Sequence, residues 1–177
     1  MLKPKPEIPI EVDGRKVGLR YYFLAPFNIS DHTSAIVFVH GIRTSAMYFQ
    51  PLATCLAQCG YHSIALEYPG YDQENWGVSS VLEPFTIPVF AHYIHQALKI
   101  LAIKYKIGLE NWIIWGHSMG GAIAQLLWRR HPLLLAGLVL CATAMRFRQT
   151  ASEWVDYALV RLGEAPAVLL SLIHISE

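Results

Sequence analysis

Hydrophobic residues recur with two different periods along this chain, and each change of period marks a new element. Ile8, Ile10 and Val12 alternate with their neighbours, and after Asp13-Gly14 the alternation resumes at Val17, Leu19, Tyr21 and Phe23. Period two on both sides of a DG pair predicts an antiparallel hairpin closed by a tight turn. Asn28–Ser34 is polar and predicts a loop. The apolar run AIVFVHG then predicts a buried strand ending at His40-Gly41. In SAMYFQPLATCLAQCG the period becomes helical. Leu52, Cys55, Leu56 and Cys59 share one face there, with Ser45 as a cap and Gly60 as a stop.

YHSIALEYPGY predicts a second buried strand running into a Pro-Gly turn, and Asp72–Pro84 has no period. FTIPVFAHYIHQALKILAIKYKIG predicts a long helix with Phe90, Ile94, Ala97, Leu98 and Leu101 as its apolar stripe and Gly108 just past its end. NWIIWGHSMGG reads as a third buried strand that stops at glycine. AIAQLLWRRHP reads as a helix with Arg129, Arg130 and His131 in its last turn and Pro132 as its stop. LAGLVLCATA predicts a fourth buried strand. TASEWVDYALVRLG predicts a helix opened by a capping box, Thr150 with Glu153. Strands alternating with helices require crossover connections. The expected class is therefore α/β, a mostly parallel sheet with an antiparallel N-terminal hairpin and helices on both faces.

Composition narrows this picture. At 177 residues the chain suits a single domain. It is 54% hydrophobic and 15% charged, which either a membrane protein or a sheet buried on both faces would explain. Leu133–Met145 and Ile36–Val39 fall short of the roughly 18–20 residues that cross a bilayer, so the sheet is the reading and no membrane is implied. A net charge of +1 without a basic stripe argues against a nucleic-acid partner. MLKPKPEIPIEVDG lacks the apolar core of a signal peptide, and three cysteines do not make a disulfide framework, so a cytoplasmic protein is expected. Cys55 and Cys59 read as ordinary buried thiols, because no further ligands complete a metal set. His92 and His95 suit exposed or edge positions on the long helix, again without a metal set.

The candidate chemistry lies in Gly116-His117-Ser118-Met119-Gly120. A serine hydroxyl is a poor nucleophile without a base in reach and donors ready for the oxyanion. A sharp strand-to-helix turn lifts the serine out of the sheet and puts the next backbone N–H at a helix N-terminus, where an anion is favoured. G-x-S-x-G arises by accident in roughly one chain in twenty of this length, so the pentapeptide alone decides little. Here it follows the apolar strand Trp112–Trp115 and opens an apolar helix, as the mechanism requires. A second strand end, His40-Gly41, offers a loop N–H as the other donor.

On these motifs the chain resembles the α/β-hydrolase superfamily from about Ile8 to Phe147. FVHGIRTSAMYF, ALEYPGY, WGHSMGGAIAQLL and GLVLCATA resemble the family's oxyanion loop, fourth-strand turn, nucleophile elbow and sixth strand. The resemblance implies that Ser118 is the nucleophile and that the backbone N–H groups of Met119 and Ile42 form the oxyanion hole. His40, Gly41, Gly116, His117 and Gly120 complete the motifs, and no metal or organic cofactor is required. A serine at the elbow counts against haloalkane dehalogenases and epoxide hydrolases, which use an aspartate there. Where family members often carry D-x-P-G-x-G-x-S, this chain has Glu67-Tyr68-Pro69-Gly70-Tyr71-Asp72-Gln73-Glu74, without the second glycine and the serine. His117 and His40 are expected to shape their loops, and Arg43 to be a solvated loop residue. Tyr71, Trp76, Met145 and Trp154 suit either an apolar acyl pocket or ordinary packing.

In this family the acid and then the histidine follow the serine, at the tips of the last two strands of the sheet. Asp156 and Glu153 fall inside the expected last helix, and Cys141–Arg148 contains no carboxylate. His174 remains as a nominal base. It sits in LSLIHISE, Leu170–Glu177, which matches at every residue the in-frame translation of a transposon-derived sequencing-library adapter, CTG TCT CTT ATA CAC ATC TCC GAG. The expectation is therefore an adapter-derived tail at 170–177, the start of a helical cap at 146–169, and the N-terminal part of a hydrolase core at 1–145. The fold would lack its last two strands, and the triad's acid and base would be absent. The expected activity of the parent protein is hydrolysis of a small-molecule carboxylic ester or related acyl bond through an acyl-enzyme on Ser118, with little or no turnover by this chain. Lactonase, thioesterase, C–C hydrolase and cofactor-free perhydrolase variants stay open. The alternative is a non-catalytic, ligand-binding protein of the same fold.

Overall fold

A computed structural model describes residues 1–12, 14–27, 34–42, 44–68, 86–143, 148–149 and 153–154. The expectations for most of Asn28–Ser34, for Pro69-Gly70 and Asp72–Pro84, for Arg43, Tyr71, Trp76, Met145 and Asp156, and for the 170–177 tail with His174 lie outside the described residues.

The hairpin forms as the alternation predicts. Strand β2 (Ile8–Val12) pairs antiparallel with β3 (Arg15–Leu24), Val12 opposite Arg15, and Gly14 takes a φ of 74° in the turn. A two-residue strand β1 (Lys3–Pro4), not expected from the sequence, also pairs with β3. The remaining strands of the sheet are β4 (Ala35–Val39), β5 (His62–Glu67), β6 (Trp112–His117) and β7 (Leu135–Cys141). Their order is β1-β3-β5-β4-β6-β7, with β3 antiparallel to β5 and β5-β4-β6-β7 all parallel. All of β4 is buried, which its unbroken apolar run Ala35–Val39 requires of a central strand covered on both faces.

Helix α1 (Gln50–Gln58) covers one face of the sheet. Helices α2 (Ile87–Tyr105) and α3 (Met119–Arg130) cover the other. The α2 stripe Phe90, Ile94, Ala97, Leu98 and Leu101 is buried as its spacing predicts. Gly108 lies just past the end of α2 as expected, but another residue makes the C-terminal turn. Lys106 takes the left-handed position at φ 55°, and the Ile107 N–H donates to the Ala102 carbonyl at 3.1 Å while the Ile107 side chain is buried. The hydrophobic contact of that C-terminal motif outweighs the roughly 1–2 kcal/mol cost of a left-handed non-glycine residue.

Two expectations for α1 and the C-terminal segment are corrected. Cys55 and Cys59 are exposed rather than buried. Close approach of α1 to the sheet favours small residues, so Ala53 and Ala57 take the inner positions, and Leu52 and Leu56 flank them. Cys55 lies about 200° around the helix from Ala53, which turns it outward. The helix expected from the Thr150 capping box is also not found at its described residues. Glu153–Trp154 form strand β9, which pairs antiparallel with β8 (Arg148–Gln149). A capping box only starts a helix, and a short helix persists only when tertiary packing holds it.

Candidate active site

The end of β6 meets α3 at Ser118, whose backbone sits at φ 53° and ψ −119°. A positive φ at a non-glycine residue stores roughly 1–3 kcal/mol of strain, and the surroundings must hold it. Three contacts do so here. The Ser118 N–H donates to the Cys141 carbonyl at 2.9 Å, and its own carbonyl accepts from the Gly121 N–H at 3.0 Å. The Thr143 hydroxyl donates to that same carbonyl at 2.7 Å. The turn is thereby tied to the end of β7.

The glycines of the elbow are there because backbones meet. A side chain at Gly120 would fall on the Val39 carbonyl oxygen at the end of β4, and one at Gly116 would lie 2.6 Å from the Gly120 carbonyl oxygen. Helix α3 therefore begins at Met119, three residues before the apolar AIAQLL run, and its first N–H groups open onto Ser118. Gly41 faces the same point across the sheet, since a Cβ on it would lie 3.0 Å from Ser118 Cβ. Ile42, next in that loop, is exposed. The structure thus brings Ser118, Met119, Gly41 and Ile42 to one end of the parallel strands.

His117 is half-buried. Its ring lies 5.3 Å from that of the exposed Tyr48, tilted by 31°. Burial, with His40 nearby, holds its pKa below the usual histidine value. His40 is fully buried. Its Nε2 stands 2.8 Å from Glu67 Oε1, and its Nδ1 lies 2.8 Å from the Gly41 carbonyl oxygen. The Nε2–Oε1 approach is off the line of an ideal hydrogen bond. Yet two buried polar atoms so close repel unless a proton lies between them, so the distance identifies them as partners.

Glu67 is the residue whose part in the site was not foreseen, although its position at the end of an apolar strand was visible. A lone carboxylate closing the run SIAL is the signal that marks it. Its Oε2 accepts from the Ala46 N–H at 3.0 Å, and its carbonyl accepts from the Tyr93 hydroxyl at 3.0 Å. Tyr68 adds a hydrogen bond from its hydroxyl to the His40 carbonyl at 3.1 Å. Burial pushes the Tyr93 hydroxyl pKa up, so it stays a donor.

His62 begins β5, at the end of the parallel strands away from Ser118. His95 on α2 stacks on His131 at the end of α3, their ring centroids 3.8 Å apart. Among the described residues no group of three or more His, Cys, Asp or Glu side chains could hold a metal ion. No helix there is long and apolar enough to cross a membrane.

The family model described as serine aminopeptidase S33 matches residues 30–171. This chain belongs to that family of α/β hydrolases. The chain is 31% identical over 110 residues to a protein of Mycobacterium phage D29 named as a non-heme haloperoxidase, covering 62% of this chain and 36% of that one. It is 33% identical over 90 residues to a protein of Mycoplasma pneumoniae named as an esterase/lipase, covering 51% and 29% respectively. The matches thus span about a third of the length of these curated relatives. Among solved structures, the chain resembles a thermophilic esterase of Thermogutta terrifontis with a TM-score of 0.66 at 18% identity, covering 82% of this chain and 48% of that one. It also resembles a carboxyl esterase of Bacillus coagulans with a TM-score of 0.64 at 24% identity, covering 84% and 47%. These structural likenesses establish the fold.

Proposed function

We propose that the protein is a serine hydrolase of carboxylic esters or related acyl bonds, with Ser118 as its nucleophile. The observation that carries this reading is the strained backbone of Ser118 at the strand-to-helix turn, φ 53° and ψ −119°, facing Gly41. Strain at a reactive side chain persists where function selects it. In the proposed reaction Ser118 Oγ attacks the carbonyl carbon and its proton passes to a base. The backbone N–H groups of Met119 and Ile42 stabilise the oxyanion, and the alcohol leaves with a proton. Water then cleaves the acyl-serine to release the acid and restore the hydroxyl. The Met119 N–H gains from its place at the start of a 12-residue helix.

The base and acid of this reading come from outside the described residues. Among those after Ser118, the one imidazole is His131, at the far end of α3 and stacked on His95. The esterase names among the relatives favour an oxygen ester. The haloperoxidase name fits the same acyl-enzyme opened by hydrogen peroxide in place of water. A cytoplasmic setting suits the free thiols Cys55, Cys59 and Cys141. A fluorophosphonate probe applied to the protein expressed from its complete reading frame is expected to label Ser118, and Ser118→Ala to abolish the labelling. An unlabelled Ser118 in a folded protein would transfer support to the non-catalytic, ligand-binding reading.

A further inference from the structure

We infer that Glu67 is a positioning residue that sets the geometry of the 40–46 loop, and with it the Ile42 N–H proposed for the oxyanion hole. This inference rests on the serine-hydrolase reading, but its structural half can be tested without it.

The loop leaves β4 at His40 and enters a short 3₁₀ turn at Ala46. One carboxylate touches both of those ends, Oε1 at His40 Nε2 and Oε2 at the Ala46 N–H. Glu67 is itself 3% exposed, and His40 is 0% exposed. Burying a carboxylate is costly unless each oxygen has a partner, so the site is built around this residue. The Ala46 N–H is the first in its turn and has no partner within the turn, so Glu67 does for it what a capping side chain would. Ser45, expected as the cap, makes no such side-chain bond.

Inside the loop the same frame continues. His40 Nδ1 lies 2.8 Å from the Gly41 carbonyl oxygen, and the Thr44 hydroxyl donates to that oxygen at 3.0 Å. A fixed Gly41 carbonyl fixes the peptide plane that carries the Ile42 N–H, because the two groups share one planar amide. The chain of contact is therefore Glu67 to the His40 ring, the ring to the Gly41 carbonyl, and that peptide to the Ile42 N–H. Glu67 touches no reacting atom and acts through the loop.

Geometry also says which substitute would serve. In Glu67→Gln the amide oxygen still accepts from Ala46, and the amide NH2 faces Nε2 of a His40 whose Nδ1 keeps the proton directed at Gly41. In Glu67→Asp the carboxylate retreats by about 1.5 Å and cannot reach both ends. A misplacement of about 1 Å in a catalytic group costs up to about 10²-fold.

The test compares Glu67→Gln and Glu67→Asp in the protein expressed from its complete reading frame, using p-nitrophenyl acetate turnover, fluorophosphonate labelling and amide hydrogen exchange at Ala46. Glu67→Asp should lower kcat and the labelling rate by roughly 10–100-fold with KM within about twofold, since an oxyanion contact tightens only in the transition state. Its Ala46 amide should exchange at least about tenfold faster, while Glu67→Gln stays near the unsubstituted protein in all three measurements. Wild-type kcat and Ala46 protection in a folded Glu67→Asp would overturn the inference, as would equal losses in the two variants. Should Glu67→Asp not fold, an Ala46 amide in the unsubstituted protein that exchanges as fast as an open loop would overturn it. Absence of Ser118 labelling in the unsubstituted protein would instead count against the hydrolase reading, and the Ala46 exchange would still decide whether Glu67 holds the loop.

Discussion

At Ser118 two demands oppose each other, since the backbone that presents the hydroxyl is one that only glycine adopts freely. Ser118→Ala and Ser118→Gly both remove the hydroxyl proposed as nucleophile, but only the second relieves the strain. Ser118→Gly is expected to melt higher than Ser118→Ala by the equivalent of about 1 kcal/mol, the stored strain less the added entropy of a glycine. Thermal melts of the two variants check this, and equal melting temperatures would mean that the φ of 53° carries no strain. Gly120 is constrained differently, by the Val39 carbonyl rather than by its own dihedral angles. Gly120→Ala should lose about 1–3 kcal/mol to overpacking, read as a lower denaturation midpoint, and should slow labelling of Ser118. The elbow residues were legible in the sequence because strand, turn and helix are contiguous there. The pairing of Glu67 with Ala46 was not, since its partners are 21 positions apart and no local period links them.

Between elements, α2 and α3 meet through apolar contacts and one pair of rings. Leu98 is fully buried in that layer, so Leu98→Ala should cost about 2–5 kcal/mol, measurable by chemical denaturation. The stacked His95 and His131 make the same interface sensitive to acid. Burial first, and then His131, Lys99 and His92, lower the His95 pKa to about 4. Burial, Arg130, His92 and Lys99 lower that of His131. Folding therefore disfavours the protonated form of both rings, whereas the unfolded chain protonates them near the ordinary histidine pKa of about 6.5. Their contribution is therefore fully present above about pH 6.5 and is lost as pH falls toward 4, because the unfolded state then binds the additional protons. The melting temperature should drop between about pH 7 and 5, and His95→Gln should drop less over the same range. An unchanged slope in that variant would remove His95 from this account. Neither ring contact nor shift was visible in the sequence, which placed His92 and His95 on one helix but could not say that His131 would meet them.

At the scale of the whole chain, β7 ends the sheet order, and among the described residues nothing pairs with its outer edge. An unpaired strand on a sheet with apolar faces invites association. The 177-residue chain purified by itself is expected to form oligomers or aggregates on size exclusion, and a monomeric sample with one cooperative melt would contradict this. The sequence by itself determined the class of fold, because alternating periods force crossovers and crossovers force a parallel sheet. It also determined the elbow, because GHSMGG lies between an apolar strand and an apolar helix that carry their own signals. It could not say which side of α1 would be inward. Four apolar residues were spaced for one face, yet close packing turned Ala53 and Ala57 inward and left Cys55 and Cys59 outside. Nor could it join His40 to Glu67. A periodic pattern records how each residue sits on its own element, whereas the contacts that hold the 40–46 loop depend on which strand ends the sheet order brings side by side. Because β4 lies between β5 and β6, tertiary structure alone put Glu67 on one flank of that loop and Ser118 on the other.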